Sequence, residues 1–372
     1  MKIPSHMQGV QLLRHGGPET LVWSDAIPVP QPGPGEVLVR VLAAGVNNTD
    51  INTRVGWYAK EVTGATDASG ADDVEAGGFA GALNFPLIQG GDLCGRVVAL
   101  GDGVAGPSEG ARVTAPLNQP EGPGLGARVI APNVQTEAST DSPVALRVIG
   151  SDYDGAFAQY CVVPAKHLYD VTASPLSDVE IAAMPCAYGT AEGLLDRADL
   201  RDEDRVLITG ASGGVGMAAV QLAKVRGAHV TAFSAAAKAD AVRAAGADAV
   251  LDRGAMPETD SHTVVIDLVG GPDWAHLIAA LAPGGRYAVA GAIAGPIVEM
   301  DLRDIYLKDL SIFGCTYQSR AVFSRLVELI NRGAVRPLVS QTYPLAEIGR
   351  AQEDFAAKRY PGKLVLIPPE VS

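Results

Sequence analysis

The chain has 372 residues, with 29 Lys+Arg against 42 Asp+Glu and a formal net charge of −13; with no cluster of basic residues, that balance excludes broad binding to phosphate backbones. The composition, 47% hydrophobic and 19% charged, excludes global disorder, and the length favours two domains. The opening "MKIPSHMQGVQLLRHGG" has no apolar signal-peptide core, and the smoothest apolar stretch, "YAVAGAIAGPIV" (287–298), is too short to span a bilayer, so a soluble, cytoplasmic protein with no membrane partner is expected.

Residues 1–174 read as β-rich. "EVLVRVLAAGV" (36–46), "CGRVVALGDGV" (94–104) and "AFAQYCVVPA" (156–165) carry β-branched residues between turn signals, and Pro and Gly punctuate heavily, as in "PVPQPGPGE" (28–36). Residues 60–83 are small, acidic and glycine-rich, the composition of a mobile surface loop. "GARVTAPLNQ" (110–119) and "GARVIAPNVQ" (126–135) echo each other, and one short echo predicts a local hairpin rather than a solenoid.

From about residue 175 strands and helices alternate. Strands are predicted at "RVLITG" (205–210), "HVTAF" (229–233), "DAVLD" (248–252), "TVVIDLVG" (263–270) and "RYAVAGA" (286–292). Helices are predicted at "GVGMAAVQLAKVRGA" (214–228), "KADAVRAAGA" (238–247) and "WAHLIAALAPGG" (274–285). Such alternation with short loops builds an α/β, doubly wound parallel sheet. From about 317 the character is mixed again.

The stretch "ITGASGGVGMAAVQ" (208–221) follows a strand and opens a helix. Ala211, Ser212, Gly213, Gly214, Val215 and Gly216 match G-x-G-x-x-G with alanine in the first place. Gly213 would let the backbone approach a pyrophosphate, Gly216 would let helix and strand pack closely, and the helix N-terminus would face the phosphates. The same letters contain "GASGG", the G-x-S-x-G elbow of serine hydrolases, which would make Ser212 a nucleophile. That reading needs a late histidine, and only His229, His262 and His276 follow.

NAD sites usually place an acid at the end of the second strand. Here Phe233 and Ser234 stand in that place, and no carboxylate follows until Asp240. The missing acid, with the Ser234 hydroxyl, the cation of Lys238 and a further cation at Arg253, points to NADP as cofactor. The alternative for Lys238 and Arg253 is a pair of solvated charges.

With these motifs in place the chain resembles the medium-chain dehydrogenase/reductase superfamily, in its zinc-independent quinone oxidoreductase-like branch. The resemblance rests on "PGPGEVLVRVLAAGVNNTD" (32–50), "NFPLIQGGDLCGRVVALGDGV" (84–104), "DGAFAQYCVVPA" (154–165), the glycine loop and "PGKLVLIPP" (361–369). It implies a chaperonin-10-like catalytic domain over 1–174, a Rossmann domain over 175–316, and a return of 317–372 to the first domain. Zinc-using members have Cys where this chain has Asn47, Gly-His-Glu where it has Gly90-Gly91-Asp92, and a third ligand, Cys, where it has Cys186.

The resemblance therefore implies no catalytic metal and leaves the space of the lost imidazole open to substrate. Asp92 is expected to keep a hydrogen-bonding or ion-pair role. An improvised site from Asp92, Cys94 and Cys186 is the alternative; the four cysteines, which include Cys161 and Cys315, form no C-x-x-C. The resemblance further implies Tyr58, in "NTDINTRVGWY" (48–58), as proton donor and Asn47 as a positioning group. Asp50 caps the turn, Thr190 lies near the cofactor, and Gly291 and Ala292 line the nicotinamide, with "VGG" (269–271) a weaker candidate. The expected reaction is NADPH-dependent reduction of a quinone or α,β-unsaturated carbonyl. The alternatives are a zinc alcohol dehydrogenase with atypical ligands and a non-catalytic NADPH-binding protein. A homodimer formed through the "LSIFGCTY" (310–317) edge is expected.

Overall fold

The computed structural model describes residues 3–59, 61–66, 81–121, 128–130 and 144–371. Most of the 60–83 loop lies outside them. The chain divides into two compact units: Met1–Val62 with Ser69–Cys186 and Ser319–Ser372, and Thr63–Ala68 with Ala187–Gln318. Among the described residues no helix is long and apolar enough to cross a membrane.

The first unit is built on a seven-stranded sheet. From edge to edge it runs Tyr169–Asp170, Arg112–Thr114, Cys94–Leu100, Glu36–Gly45, Lys363–Ile367, Val339–Pro344. Tyr160–Pro164 pairs with the first half of Glu36–Gly45, so Lys363–Ile367 can pair with its end, through Ala44 and Gly45. Val37, Val39, Val41, Leu93, Val97, Phe157, Leu364 and Leu366 pack into one core. β-Branched and large apolar side chains on successive strands favour that arrangement.

The echoed segments do not pair with each other. Arg112–Thr114 joins the large sheet, whereas Arg128–Ile130 and Asn118–Glu121 flank Val144–Val148 in a separate three-stranded sheet. The partner strand, 144–148, has no echo in the sequence, so similarity of letters predicted the wrong neighbour.

The second unit holds a six-stranded, all-parallel sheet in the order Ala249–Leu251, His229–Phe233, Arg205–Ile208, His262–Asp267, Leu281–Val289, Ser311–Gly314. In chain order this is 3-2-1-4-5-6, with its switch point between Arg205–Ile208 and His262–Asp267, where ligands of such folds bind. The helix expected over 274–285 ends at Ala280, ahead of Pro283, and Arg286–Val289 then pairs residue by residue with Val264–Asp267. Leu207, Val265, Trp274, Leu277 and Tyr287 form the core on one face.

Candidate active site

In the first unit, Asn47 opens the helix Asn48–Val55 and Gly56 closes it in the left-handed region, with φ 74°. A glycine accepts that conformation without strain. The Asn47 N–H donates to Asp50 Oδ2 at 2.8 Å, so Asp50 does cap the turn. Beyond Gly56 the Trp57 N–H returns to Asn52 O at 2.8 Å, and Tyr58 folds back so that its hydroxyl donates to Thr49 Oγ1 at 3.2 Å. Burial pushes the phenol of Tyr58 up to about 12, against smaller downward effects of hydrogen bonds to Thr49 and Asn52. It therefore keeps its proton at neutral pH and is available as a donor.

Beneath this helix lies a buried ionic network. Asp92 is 0% exposed and Lys363 is 3% exposed. Asp92 Oδ1 accepts the Cys186 N–H at 2.6 Å, and Oδ2 accepts Asn47 Nδ2 at 2.9 Å and Lys363 Nζ at 3.0 Å. Lys363 also donates to Val46 O at 2.9 Å and to Asn47 Oδ1. Three acceptors match the three protons of an ammonium. Both ends of the Asn47 amide are thus engaged inside the protein, which places the residue in the scaffold beneath the site. Asp50, close by, is pushed up to about 7, first by burial and then by the charge of Asp92, against the lowering effects of the Asn47 N–H, Lys363 and the Gly91 N–H.

The positions that correspond to metal ligands do not make a zinc site. Asn47 is an engaged amide, position 91 has no side chain, Asp92 is ion-paired, and Cys186 contributes its backbone N–H to Asp92. Cys94 does not join Asp92; its thiol lies 3.7 Å from Asp178 Oδ1, and burial, with Asp178 beside it, pushes its pKa up, away from the thiolate a metal needs. Among the described residues no group of three or more His, Cys, Asp or Glu side chains is placed to hold a metal ion. Catalytic zinc takes three protein ligands and a water, and this donor set does not supply them. The expectation that the lost imidazole left open space is corrected. A first side-chain carbon at position 91 would fall 2.1 Å from Leu117 Cδ1, so a buried leucine already occupies the place.

In the second unit the predicted cofactor residues collect on one edge, because every strand is parallel and exits there. Gly213 caps the helix Gly214–Val225 and is exposed, and a carbon added to it would meet nothing closer than 3.5 Å. A carbon on Gly216 would lie 2.3 Å from Gly210 O, so helix and strand touch only because the residue is glycine. Ala211 and Ser212 are buried, and the Ala211 N–H donates to Phe233 O at 3.2 Å, which brings the loop beside Ser234. Ser234 is buried, with its N–H on Leu251 O at 3.0 Å; Lys238 is half-buried and Arg253 is exposed, just past that neighbouring strand.

Gly291 leaves room for Leu268 O, 2.5 Å from where a carbon would sit, and Ala292 lies against Gly270. Thr190 is half-exposed on the helix Pro185–Arg197, which is tied to Gly214–Val225 by Tyr188 to Gln221 at 3.0 Å and Glu192 to Arg226 at 2.7 Å. The hydrolase alternative fails on geometry. His229 and His262 begin their strands, at the sheet edge opposite Ser212, and His276 is in a helix.

Two models of protein families match the chain: an alcohol dehydrogenase GroES-like domain over residues 33–173 and a zinc-binding dehydrogenase over residues 214–332. An acryloyl-coenzyme A reductase of Metallosphaera sedula is 30% identical, over 91% of this chain and 93% of that protein. The chain belongs to the medium-chain dehydrogenase/reductase superfamily. An NAD-dependent alcohol dehydrogenase of Sulfurisphaera tokodaii is 28% identical over 97% of this chain and all of that one. The solved structure of a putative alcohol dehydrogenase from Sinorhizobium meliloti 1021 superposes with a TM-score of 0.84 at 41% identity, covering 99% of this chain and 98% of that one. As a member of this superfamily the protein is an oxidoreductase with a Rossmann-type nicotinamide cofactor site.

Lys363, Thr49 and Leu117 were not singled out from the sequence. A lysine opening the apolar strand "KLVLI" was the available signal, since a charge inside a buried strand needs a partner. Nothing in the letters around Leu117 marks it as the residue that fills position 91.

Proposed function

We propose that the protein is a metal-independent, NADPH-dependent reductase of conjugated carbonyls, quinones included. The observation that supports this most is the pairing of Asp92 with the ammonium of Lys363 beneath a protonated Tyr58. The acid that follows the position of the lost histidine is neutralised by a fixed cation, and a phenol is the group left to stabilise a developing oxyanion. Bound nicotinamide supplies the hydride. On this reading the Tyr58 hydroxyl swings its one proton from Thr49 Oγ1 to the acceptor's oxygen and then gives it up, while the Thr49 hydroxyl donates back to the phenol oxygen and holds it in place. Asn47 acts by fixing the start of the helix that carries Thr49. A conjugated acceptor suits this machinery because its electrons already delocalise onto an oxygen, whereas removing hydride from an alcohol calls for a Lewis acid or a strong base. The likeness to an acryloyl-coenzyme A reductase supports the same acceptor class.

The NADPH preference is supported by Ser234, Lys238 and Arg253 on neighbouring strand exits, with no acid at the end of His229–Phe233. The homodimer belongs to the same proposal. Ile312 on the edge strand Ser311–Gly314 is 41% exposed, and Ile297, Leu302, Tyr306 and Leu307 nearby in sequence are 61–72% exposed. A second reading, a zinc-dependent alcohol dehydrogenase, is favoured by the 41% identity to a putative alcohol dehydrogenase.

The experiment offers NADPH and NADH with enones, an acryloyl thioester, quinones, and aldehyde–alcohol pairs, alongside metal analysis. Oxidation of NADPH by the conjugated acceptors with no stoichiometric metal is the expected result. Alcohol turnover with about one zinc per chain would establish the second reading. A preference for NADH would overturn the cofactor assignment alone.

A further inference from the structure

The sheet exit of the second unit contains a buried carboxylate that no part of the proposed reaction uses. Asp267 ends the strand His262–Asp267 and is 0% exposed. Its Oδ1 accepts from Thr209 Oγ1 at 2.6 Å, from the Val269 N–H at 2.9 Å and from the Gly270 N–H at 3.1 Å. Its Oδ2 accepts the hydroxyl of Tyr287. Every one of these partners is a donor, the set an ionised carboxylate requires. Thr209 in turn accepts the Leu268 N–H at 2.8 Å. Tyr287, 2% exposed, packs its ring on Trp274 with centroids 6.2 Å apart.

These bonds join three strand exits. Ile208 and Ile266 are paired across the switch point, so the Thr209–Asp267 bond closes it one residue further on. Thr209 precedes Gly210 and the glycine loop. Tyr287 lies on the next strand, which leads to Ala290–Gly295. The Ala290 N–H donates to Asp267 O at 3.2 Å, and the Ala294 N–H to Val269 O at 2.9 Å. Between them the turn Leu268–Gly271 contains two glycines in the left-handed region, φ 62° and 77°, packed against Ala292 and Ala294. Its two glycines have no side chains to hold that shape. The carboxylate supplies that shape by binding two consecutive backbone N–H groups.

We propose that Asp267 is a positioning residue of the cofactor site: through Thr209, Tyr287 and the turn Leu268–Gly271 it fixes the strand exits against which the dinucleotide binds. The role acts through geometry, which gives it a specific signature. In Asp267→Asn the remaining oxygen still accepts from Thr209 and the two N–H groups, and the new amide donates to the Tyr287 oxygen. In Asp267→Ala all four bonds are lost. The inference rests on the cofactor domain alone and is independent of the acceptor.

The test is direct titration of NADPH and NADH onto the full chain, by fluorescence or calorimetry, together with thermal melts. Asp267→Ala should weaken binding about tenfold or more, and Asp267→Asn by less than about threefold. Thr209→Val, which removes one of the four donors and the acceptor for Leu268, should fall between them. A purely structural carboxylate would lower the melting temperature while leaving the folded protein's affinity unchanged. That result in Asp267→Ala overturns the proposal, and if that variant does not fold, unchanged affinity in Thr209→Val overturns it. Unaltered protein that binds neither cofactor would overturn the dinucleotide assignment itself, a different failure from unchanged affinity in the variants.

Discussion

Lys363 and Asp92 are withdrawn from water together, so each depends on the other. Removing one leaves the other as an uncompensated buried charge, which costs about 3–5 kcal/mol. Lys363→Met should therefore lower stability by about that much in denaturant titrations, and adding Asp92→Asn should recover part of the loss. Asp50 responds to pH. Its carboxyl moves from the ordinary 3.8 to about 7 on folding, so the folded protein keeps a proton that the unfolded chain has released. Its contribution to stability is complete below pH about 4, declines through the range between the two pKa values, and is gone above pH about 7. Melts of Asp50→Asn against the unaltered protein should show the variant gaining ground as pH rises from 5 to 8. Tyr58→Phe removes the proposed donor from a half-buried position; kcat should fall about 100-fold with little change in melting temperature. Because the phenol titrates near 12, the unaltered enzyme should show no Tyr58-dependent loss of rate below pH about 10.

Single elements differed in how readily they could be read. The glycine loop was legible because its constraints are local: a strand, a tight turn and a helix within fourteen residues, "ITGASGGVGMAAVQ". The network at Asp92 was only half legible. Its acid stood out, but its counter-ion lies 271 residues away, and no local pattern announces such a contact. Position 91 shows the same limit from the other side. A missing histidine can be read from the letters, whereas its replacement in space, Leu117, depends on how two loops pack. Gly91→Ala should cost about 1–3 kcal/mol through overpacking, and Leu117→Ala should relieve it in the double variant, as measured by chemical denaturation. Asp267 was hidden inside an apolar strand, where a lone acid reads as noise until the turn that it binds is seen.

At the scale of the whole chain, the alternation of strands and helices past residue 175 carried enough information for a doubly wound parallel sheet, though its strand order came from the structure. Periodicity says which segments are strands, and the right-handed crossover rule leaves few ways to arrange them. The small sheets of the first unit were less legible, because short strands between turns can pair in many orders, as the echoed segments show. The exposed edge strand Ser311–Gly314 leads to a molecular prediction. For the proposed homodimer, Ile312→Asp should give a monomer in light scattering, with cofactor binding retained, and an unaltered protein that is itself monomeric would overturn the proposed dimer.

The strand Lys363–Ile367 also has a consequence for how the protein is made. It lies between Glu36–Gly45 and Val339–Pro344, and it brings the only ammonium bound to Asp92 among the described residues. A ribosome releases it after the entire dinucleotide-binding unit. The nascent first half, with its sheet incomplete and Asp92 without its cation, must wait through the synthesis of some 180 further residues. The inserted unit, contiguous in sequence apart from six residues, can fold during that wait. The last strand thus sets the time at which the first unit becomes a folded domain.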